Sequence, residues 1–351
     1  MRKRVIVLSV LILAGLWARF VSGQSTLAFP DATASDLGDS TKGYAGAISS
    51  GMAATIYNGT LWSAFVLNTN NFCPGYIGVQ GYYNNVNTPH TPDMHYTPIG
   101  ACSGFDHANG QPQMTVFNGN IWVAYASADY YNTLVVAVYN STSGWRNAGP
   151  GVIVNPGAAI GTFNGKIYVA YQSPDSNHYL MLTSSTTGLS QTSWSTPTVQ
   201  YYNSSPIRIG HNPAIVQYGN KLVVAAFCQC DSHYLDVYTS TDGATWSKTE
   251  ITTQTLSNLS SPSLAVSNGV LALAYVRNGT NDIYTSTSYD AVRWSGAVRQ
   301  SNNLSFSAGG SALAVLPDNY TFVLYQSERA LSWDSSSGPH QEYYSLALPL
   351  N

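Results

Sequence analysis

A unit of about 50 residues recurs six times along the 351-residue chain. Each unit contains an alternating apolar run, a tight turn, a second apolar run and a closing aromatic residue. The turns are Asn58-Gly59, Asn118-Gly119, Asn164-Gly165, Gly219-Asn220, Asn268-Gly269 and Asp318-Asn319; the closing aromatics are Phe65, Tyr125, Tyr171, Phe227, Tyr275 and Tyr325. Asn-Gly between alternating runs predicts a β-hairpin, because both residues tolerate positive φ. The repeat therefore indicates a modular all-β chain.

A third run follows the hairpin, and four units add a fourth run that begins at Trp145, Trp194, Trp246 or Trp294. Small residues such as Ala158 and Ala159 occupy the first runs, as a crowded innermost strand requires. Four short strands per unit, without helical periodicity, predict an all-β β-propeller with six four-stranded blades. Five or seven blades remain alternatives at this stage.

The last unit lacks a fourth run. A strand from the N-terminal segment Ser25 to Pro30 would complete the last blade and leave no open sheet edge. A second possibility is that the neighbouring segment, Asp31 to Lys42, reaches another subunit.

The first 23 residues have the features of an export signal. Arg2-Lys3-Arg4 precedes an apolar run from Val5 to Ala18, and small residues precede Gln24. The run is short for a membrane span. We therefore predict a signal peptide at residues 1–23 and a single secreted or cell-surface propeller domain at residues 24–351. Within its first blade we predict an irregular insertion over about residues 68–111.

Charge is scarce, at 9% of residues, whereas hydrophobic residues make up 44%. Removal of the signal leaves ten basic and seventeen acidic groups, a formal net charge of −7. No basic patch is visible, which argues against a nucleic-acid partner.

Four cysteines in an exported chain favour disulfides over metal ligation. We expect Cys73 to pair with Cys102, across the insertion, and regard Cys228–Cys230 as a second candidate pair. The insertion also contains His90, Asp93, His95, Asp106 and His107, whose spacing matches no strong metal-binding motif. We predict neither a metal nor another cofactor.

Two turns carry an S-x-D-x-x-x-W pattern: Ser240, Asp242 and Trp246, and again Ser288, Asp290 and Trp294. This pattern resembles the Asp-box of sialidase-like (BNR-repeat) β-propellers, although both copies are one residue shorter than the commoner form. The resemblance implies a propeller fold and a structural role for these residues, with Asp bonding its own turn and Trp packing between blades. It does not imply sialidase activity, because the family's arginine triad and its Tyr–Glu nucleophile pair are not found.

A candidate binding site recurs in the loops between the second and third runs. Asp129, Asp175 and Asp231 each follow a closing aromatic by four residues, and aromatic or His residues come next: Tyr130 and Tyr131, His178 and Tyr179, His233 and Tyr234. One interpretation is a repeated turn in which Asp caps its own backbone. The other is a set of sugar sites, since Tyr offers a flat apolar face while Asp and His bond hydroxyl groups.

Three functions follow from these residues. The first is a non-catalytic, lectin-like protein that binds glycans or polysaccharide at several sites. The second is a glycoside hydrolase or lyase that draws its carboxylates from Asp106, Asp129, Asp175 and Asp231. The third is a self-assembling subunit of an extracellular filament or coat.

Overall fold

In a computed structural model, the described residues form six four-stranded antiparallel sheets, which confirms the predicted all-β, six-bladed propeller. The structure describes residues 35–36, 52–66, 77–85, 88–96, 107–140, 144–155, 157–229, 234–252, 261–276, 282–300, 306–315, 320–327 and 340–347.

The blades are numbered I to VI along the chain. Blade I contains β2 (Ala53–Tyr57), β3 (Thr60–Val66), β4 (Ile77–Asn85) and β5 (Thr88–Tyr96); blade II contains β6 (Ala108–Phe117), β7 (Asn120–Ser127), β8 (Leu134–Asn140) and β9 (Gly144–Asn147); blade III contains β10 (Ala158–Phe163), β11 (Lys166–Gln172), β12 (Leu180–Ser185) and β13 (Thr198–Val199). Blade IV contains β16 (Ala214–Tyr218), β17 (Lys221–Phe227), β18 (Leu235–Ser240) and β19 (Ser247–Thr252); blade V contains β20 (Ser263–Ser267), β21 (Val270–Val276), β22 (Ile283–Ser288) and β23 (Val298–Gln300). Blade VI contains β24 (Phe306–Val315), β25 (Tyr320–Ser327), β26 (His340–Ala347) and β1 (Ser35–Asp36). A small hairpin of β14 (Tyr201–Tyr202) and β15 (Ser205–Pro206) connects blades III and IV, and a 3-10 helix spans Gln191–Ser193.

The blades form a closed ring around one axis. The first strand of each blade contacts the first strand of the next blade, and β24 of blade VI contacts β2 of blade I. All six first strands line a central cavity of about 270 Å³. Small residues such as Ala159 and Ala214 are buried on these strands, as the sequence predicts for the crowded centre.

An N-terminal strand closes the ring, but it lies later in the chain than predicted. Ser35 is opposite Tyr343 and Asp36 is opposite Glu342, so that β1 becomes the fourth strand of blade VI. The segment Ser25 to Pro30 lies outside the described residues. The observed strand leaves a shorter connection to β2, which lowers the entropic cost of closure. Within this chain Ser35 and Asp36 pair with β26, and contact of residues 31–42 with a neighbouring subunit stays a prediction.

The segment predicted as an irregular insertion contributes two regular strands. β4 and β5 lie inside residues 68–111 and complete blade I, with Tyr83 opposite Asp93 and Gly81 opposite His95. The prediction missed them because β4 contains two glycines and β5 contains two prolines. An outermost strand tolerates proline, since its unpaired edge needs no N–H donor.

The predicted hairpins have the expected backbone conformation. Asn118 and Gly119 have φ of 48° and 68°, and the Asn-Gly turns of blades I, III and V likewise have positive φ at both residues. In the Gly219-Asn220 turn, Gly219 has φ of 57°. The Asp318-Asn319 turn lies outside the described residues.

Tryptophans pack between adjacent blades. Trp145, Trp194, Trp246 and Trp294 each join an apolar cluster formed by their own blade and the preceding one. The Trp194 indole donates to the carbonyl of Ala148 over 2.8 Å, and that of Trp246 donates to Gln200 Oε1 over 2.9 Å. These bonds connect neighbouring blades because both acceptors directly follow the preceding blade's fourth strand.

Cys228, the cysteine that the structure describes, is not a free thiol. Cys73, Cys102 and Cys230 lie outside the described residues, so both pairings stay predictions. No helix among the residues described is long and apolar enough to cross a membrane.

Candidate functional site

The ring has two faces with different kinds of connection. Because neighbouring strands are antiparallel, the turns between first and second strands lie on the same face as the turns between third and fourth strands. We call this the hairpin face. The loops between second and third strands, together with the connections between blades, form the opposite face, which we call the loop face. The bond from Lys221 Nζ to the carbonyl of Asp290, 2.9 Å long, joins turns of both kinds across the hairpin face.

The two S-x-D-x-x-x-W turns lie on the hairpin face and are closed by their own side chains. Asp242 Oδ1 accepts from the backbone N–H groups of Ala244 and Thr245 over 2.8 and 2.7 Å, and from the Ser240 hydroxyl. Asp290 accepts from the N–H groups of Val292 and Arg293 in the same way. These contacts close each turn on itself, and the strand order places both turns on the face opposite the loop face.

The loop of blade II brings Asp129 against His107. The backbone N–H of His107 donates to Asp129 Oδ2 over 2.7 Å, and His107 Nδ1 lies 2.7 Å from Oδ1. The His107 N–H and ring together hold the pKa of Asp129 below its usual value, so this carboxylate stays ionised. Both side chains remain about two-fifths exposed.

Two tyrosines project from the same loop. Tyr131 is 88% exposed and Tyr130 is 61% exposed, and Ile153 of the connection to blade III is also exposed. Tyr131 has φ of 51°, and the Thr133 hydroxyl donates to the carbonyl of Tyr130 over 2.6 Å. The loop is therefore ordered by its backbone while its aromatic faces stay open to solvent.

The loop of blade III is a self-capped turn. Asp175 accepts from the Ser173 hydroxyl over 2.6 Å and from the side-chain amide of Asn177 over 2.9 Å. The hydrogen bonds from Ser173 and Asn177 lower the pKa of Asp175 from its ordinary value. The backbone N–H of Asn177 also donates to Asp175 Oδ1 over 3.2 Å, which is the kind of contact that the turn-capping interpretation expects, and Asp175 remains exposed.

His178 and Tyr179 follow this turn and face the connection to blade IV. Tyr179 is opposite Arg208 in an antiparallel bridge, which places their side chains on the same side. The Arg208 guanidinium is exposed, and its Nε donates to the carbonyl of Asn177 over 2.8 Å. His178 has φ of 56°, and its Nδ1 lies 3.4 Å from Asn155 Nδ2.

The blade IV loop is described only in part. Asp231 and His233 lie outside the described residues. Tyr234 is half-buried, and its carbonyl accepts from the N–H of Cys228 over 2.8 Å. The predicted loop with polar and aromatic residues can therefore be compared in full between blades II and III.

Three described carboxylates of the loop face each bond to groups of their own blade. Asp129 and Asp175 belong to different blades, and each is hydrogen-bonded within its own blade. Asp282 lies between the second and third strands of blade V, as Asp129 and Asp175 do in their blades. It is buried and pairs with Arg299 over 2.9 Å. Asp106 lies outside the described residues. Within the described ranges, no group of three or more His, Cys, Asp or Glu residues is arranged to hold a metal ion.

Three residues of the loop face were not predicted as members of the site. Asn155 and Arg208 belong to the connections between blades, where the sequence shows no repeat. His107 was assigned to the insertion, although its pairing with Asp129 brings it to the blade II loop. Their positions follow from how each connection runs beside the preceding blade, which the repeat pattern alone does not show.

No protein-family model matches the chain, and no curated protein matches it. Among solved structures, the chain is similar to a fungal lectin from Aleuria aurantia, which has a six-bladed β-propeller fold and a novel fucose recognition mode. The identity is 12% and the TM-score 0.55, over 84% of this chain and 94% of the lectin. AofleA from Arthrobotrys oligospora gives 14% identity and a TM-score of 0.59, over 87% of this chain and 91% of that one.

A GH43_1 enzyme from Xanthomonas citri gives 12% identity and a TM-score of 0.48, over 90% and 91% of the two chains. At these identities the comparisons concern the fold alone. The two comparisons with TM-scores of 0.55 and 0.59, together with the observed sheets, define the class of this chain as a β-propeller.

Proposed function

We propose that this chain is a secreted, non-catalytic protein that binds glycans on its loop face. The exposed tyrosines of blade II carry this proposal. Tyr130 and Tyr131 present apolar ring faces beside the ionised Asp129 and the His107 imidazole, which can bond sugar hydroxyl groups. The blade III loop offers a second set in His178, Tyr179 and Arg208. Several weak sites on one rigid ring suit multivalent binding.

The comparisons support the same proposal. A lectin from Aleuria aurantia described as fucose-specific shares the propeller architecture, at 13% identity and a TM-score of 0.56 over 87% of this chain. The export signal predicted at residues 1–23 supports a location outside the cell or at its surface. We further propose that the two S-x-D-x-x-x-W turns relate this chain to the sialidase-like propellers; their closed hydrogen-bond pattern supports that relation.

A glycan array on residues 24–351 tests the binding function. We expect signals that fall at least about ten-fold in the double variant Tyr130→Ala/Tyr131→Ala, because loss of one site lowers the avidity of the whole ring. Tyr289→Ala is the matched control, since Tyr289 is an exposed tyrosine of the hairpin face and should be dispensable. Blank arrays over neutral, fucosylated and acidic glycans would count against the proposal, as would equal losses in both variants.

A further inference from the structure

The side chains of Gln172, Asn155 and His178 form a continuous hydrogen-bond relay at the loop of blade III. Gln172, at the end of β11, donates through Nε2 to the carbonyl of Ile209 in the connection to blade IV. Asn155, in the connection from blade II, donates through Nδ2 to Gln172 Oε1. The same Asn155 nitrogen lies 3.4 Å from His178 Nδ1. The relay thus runs from the backbone carbonyl of Ile209 to the His178 imidazole on the loop face.

The carbonyl of Ile209, the first acceptor of the relay, sets the direction of every hydrogen bond in it. A backbone carbonyl can only accept, so Gln172 must turn its NH₂ group toward Ile209 and its oxygen toward Asn155. That oxygen also only accepts, so Asn155 must present its NH₂ group. The second hydrogen of this group then meets His178 Nδ1, which must act as an acceptor. A neutral imidazole that accepts at Nδ1 carries its proton on Nε2.

The surroundings keep this arrangement in place. Gln172 is 5% exposed, so its amide has little alternative hydration. The backbone N–H of Asn155 donates to the carbonyl of Gln172 over 3.1 Å, and the carbonyl of His178 accepts from the N–H of Ile209 over 2.9 Å. The connection from blade II, the loop of blade III and the connection to blade IV meet at this relay and are therefore also joined through their backbones.

We infer that Asn155 and Gln172 are positioning residues that hold His178 in its Nε2–H tautomer, ready to donate a hydrogen bond to a ligand oxygen on the loop face. The ligand part of this inference rests on the proposed glycan-binding function, since hydroxyl and ring oxygens of a sugar are suitable acceptors. Among the described residues, Asp175 and Tyr179 are near His178 in the sequence, and Arg208 lies opposite Tyr179. Asp175 is engaged by Ser173 and Asn177, and Arg208 binds the carbonyl of Asn177.

Nitrogen-15 NMR of the histidine side chains in residues 24–351 at neutral pH tests the tautomer directly, with His178→Gln to assign the signals. We expect an unprotonated Nδ1 and a protonated Nε2 in the unliganded protein. In Asn155→Asp the new carboxylate can only accept, so we expect the His178 proton to move to Nδ1 or the ring to become cationic. Asn109→Asp is the matched control, because Asn109 bonds Asn132 in blade II and should leave the His178 signals unchanged.

A wild-type spectrum with the proton on Nδ1 would overturn the inference without any variant, and so would an unchanged tautomer in correctly folded Asn155→Asp. For a glycan found by the array, we expect both His178→Gln and Asn155→Asp to weaken binding by about ten-fold. Unchanged affinity in both would overturn the ligand role of His178. A blank array would instead count against the proposed function, and the NMR result would still decide the tautomer.

Discussion

Two carboxylates, Asp242 and Asp236, have pKa values shifted in opposite directions by their surroundings. Asp242 accepts from the N–H groups of Thr245 and Ala244 and from the Ser240 and Thr245 hydroxyls, and these bonds hold its pKa well below the usual value. Asp236 is buried in blade IV, and burial raises its pKa although Lys248 lies 2.7 Å away. A lowered pKa means that the folded state favours the ionised form, whereas a raised pKa means that it disfavours that form.

Asp242→Asn should therefore flatten the acid side of the stability curve. In the unfolded chain Asp titrates near pH 4, so the wild type gains stability from Asp242 above that pH. This stability is lost as the pH falls from about 4 toward the lower folded value. Urea unfolding between pH 2 and pH 7 should show a smaller loss in the variant. Parallel curves for the two proteins would mean that the hydrogen bonds of Asp242 are not coupled to folding.

The turn at Asp242 could be predicted from sequence, because the contacts of its carboxylate lie within five residues. The pair of Asp236 and Lys248 could not be predicted, because it depends on the register between β18 and β19. That register contains an irregularity between Leu235 and Asp236. The contact of Asp129 with His107 also escaped prediction, since it joins two segments 22 residues apart.

Among the elements, glycines in tight turns have two distinct roles. Gly119 has φ of 68°, and a Cβ added there would meet no atom within 4 Å. Gly188, in the turn before the 3-10 helix, has φ of 66°, but its added Cβ would lie 2.6 Å from the fully buried ring of Trp122. Backbone conformation alone requires glycine in the first case, whereas conformation and packing both require it in the second.

Substitution of these glycines should separate the two effects. Gly119→Ala should lower the free energy of unfolding by about 1 kcal/mol, the cost of a left-handed alanine. Gly188→Ala should add an overpacking cost of about 1–3 kcal/mol, because Trp122 must move. Chemical denaturation of both variants measures the difference. An equal loss in the two variants would show that the contact with Trp122 relaxes freely.

The hairpins were predictable because Asn-Gly supplies the required dihedral angles locally. The strands β4 and β5 were not, since glycine, asparagine and proline weaken their local signal. Their place in blade I follows from pairing with β3, a tertiary interaction that propensity does not contain. In the candidate site, the residues of the repeating loops were predictable, whereas Asn155 and Arg208 depend on the paths of the connections.

At the scale of the whole molecule, the ring depends on its N-terminal strand. β1 covers the outer edge of β26 and so joins the two ends of the chain within blade VI. The number of blades was predictable because each unit repeats the same hairpin. The residues that close the ring lie outside the repeat, so the segment predicted for this strand, residues 25–30, ends five residues before β1 begins.

Removal of β1 should therefore destabilise the entire ring. A protein that begins at residue 43 should unfold at a temperature several degrees lower and should associate through the exposed edge of β26. A protein that begins at residue 35 keeps the strand and should behave as the mature chain does. Differential scanning calorimetry with size-exclusion chromatography provides the comparison, and identical behaviour of both truncations would contradict ring closure by β1.

A crystal structure of residues 24–351 with a glycan taken from the array would test the central claim most directly. We predict sugar density on the loop face, against Tyr130 and Tyr131 or beside His178 and Tyr179, with the tyrosine rings in contact with the sugar ring. Density on the hairpin face or on the outer strands, with the loop face in contact with solvent alone, would contradict the account.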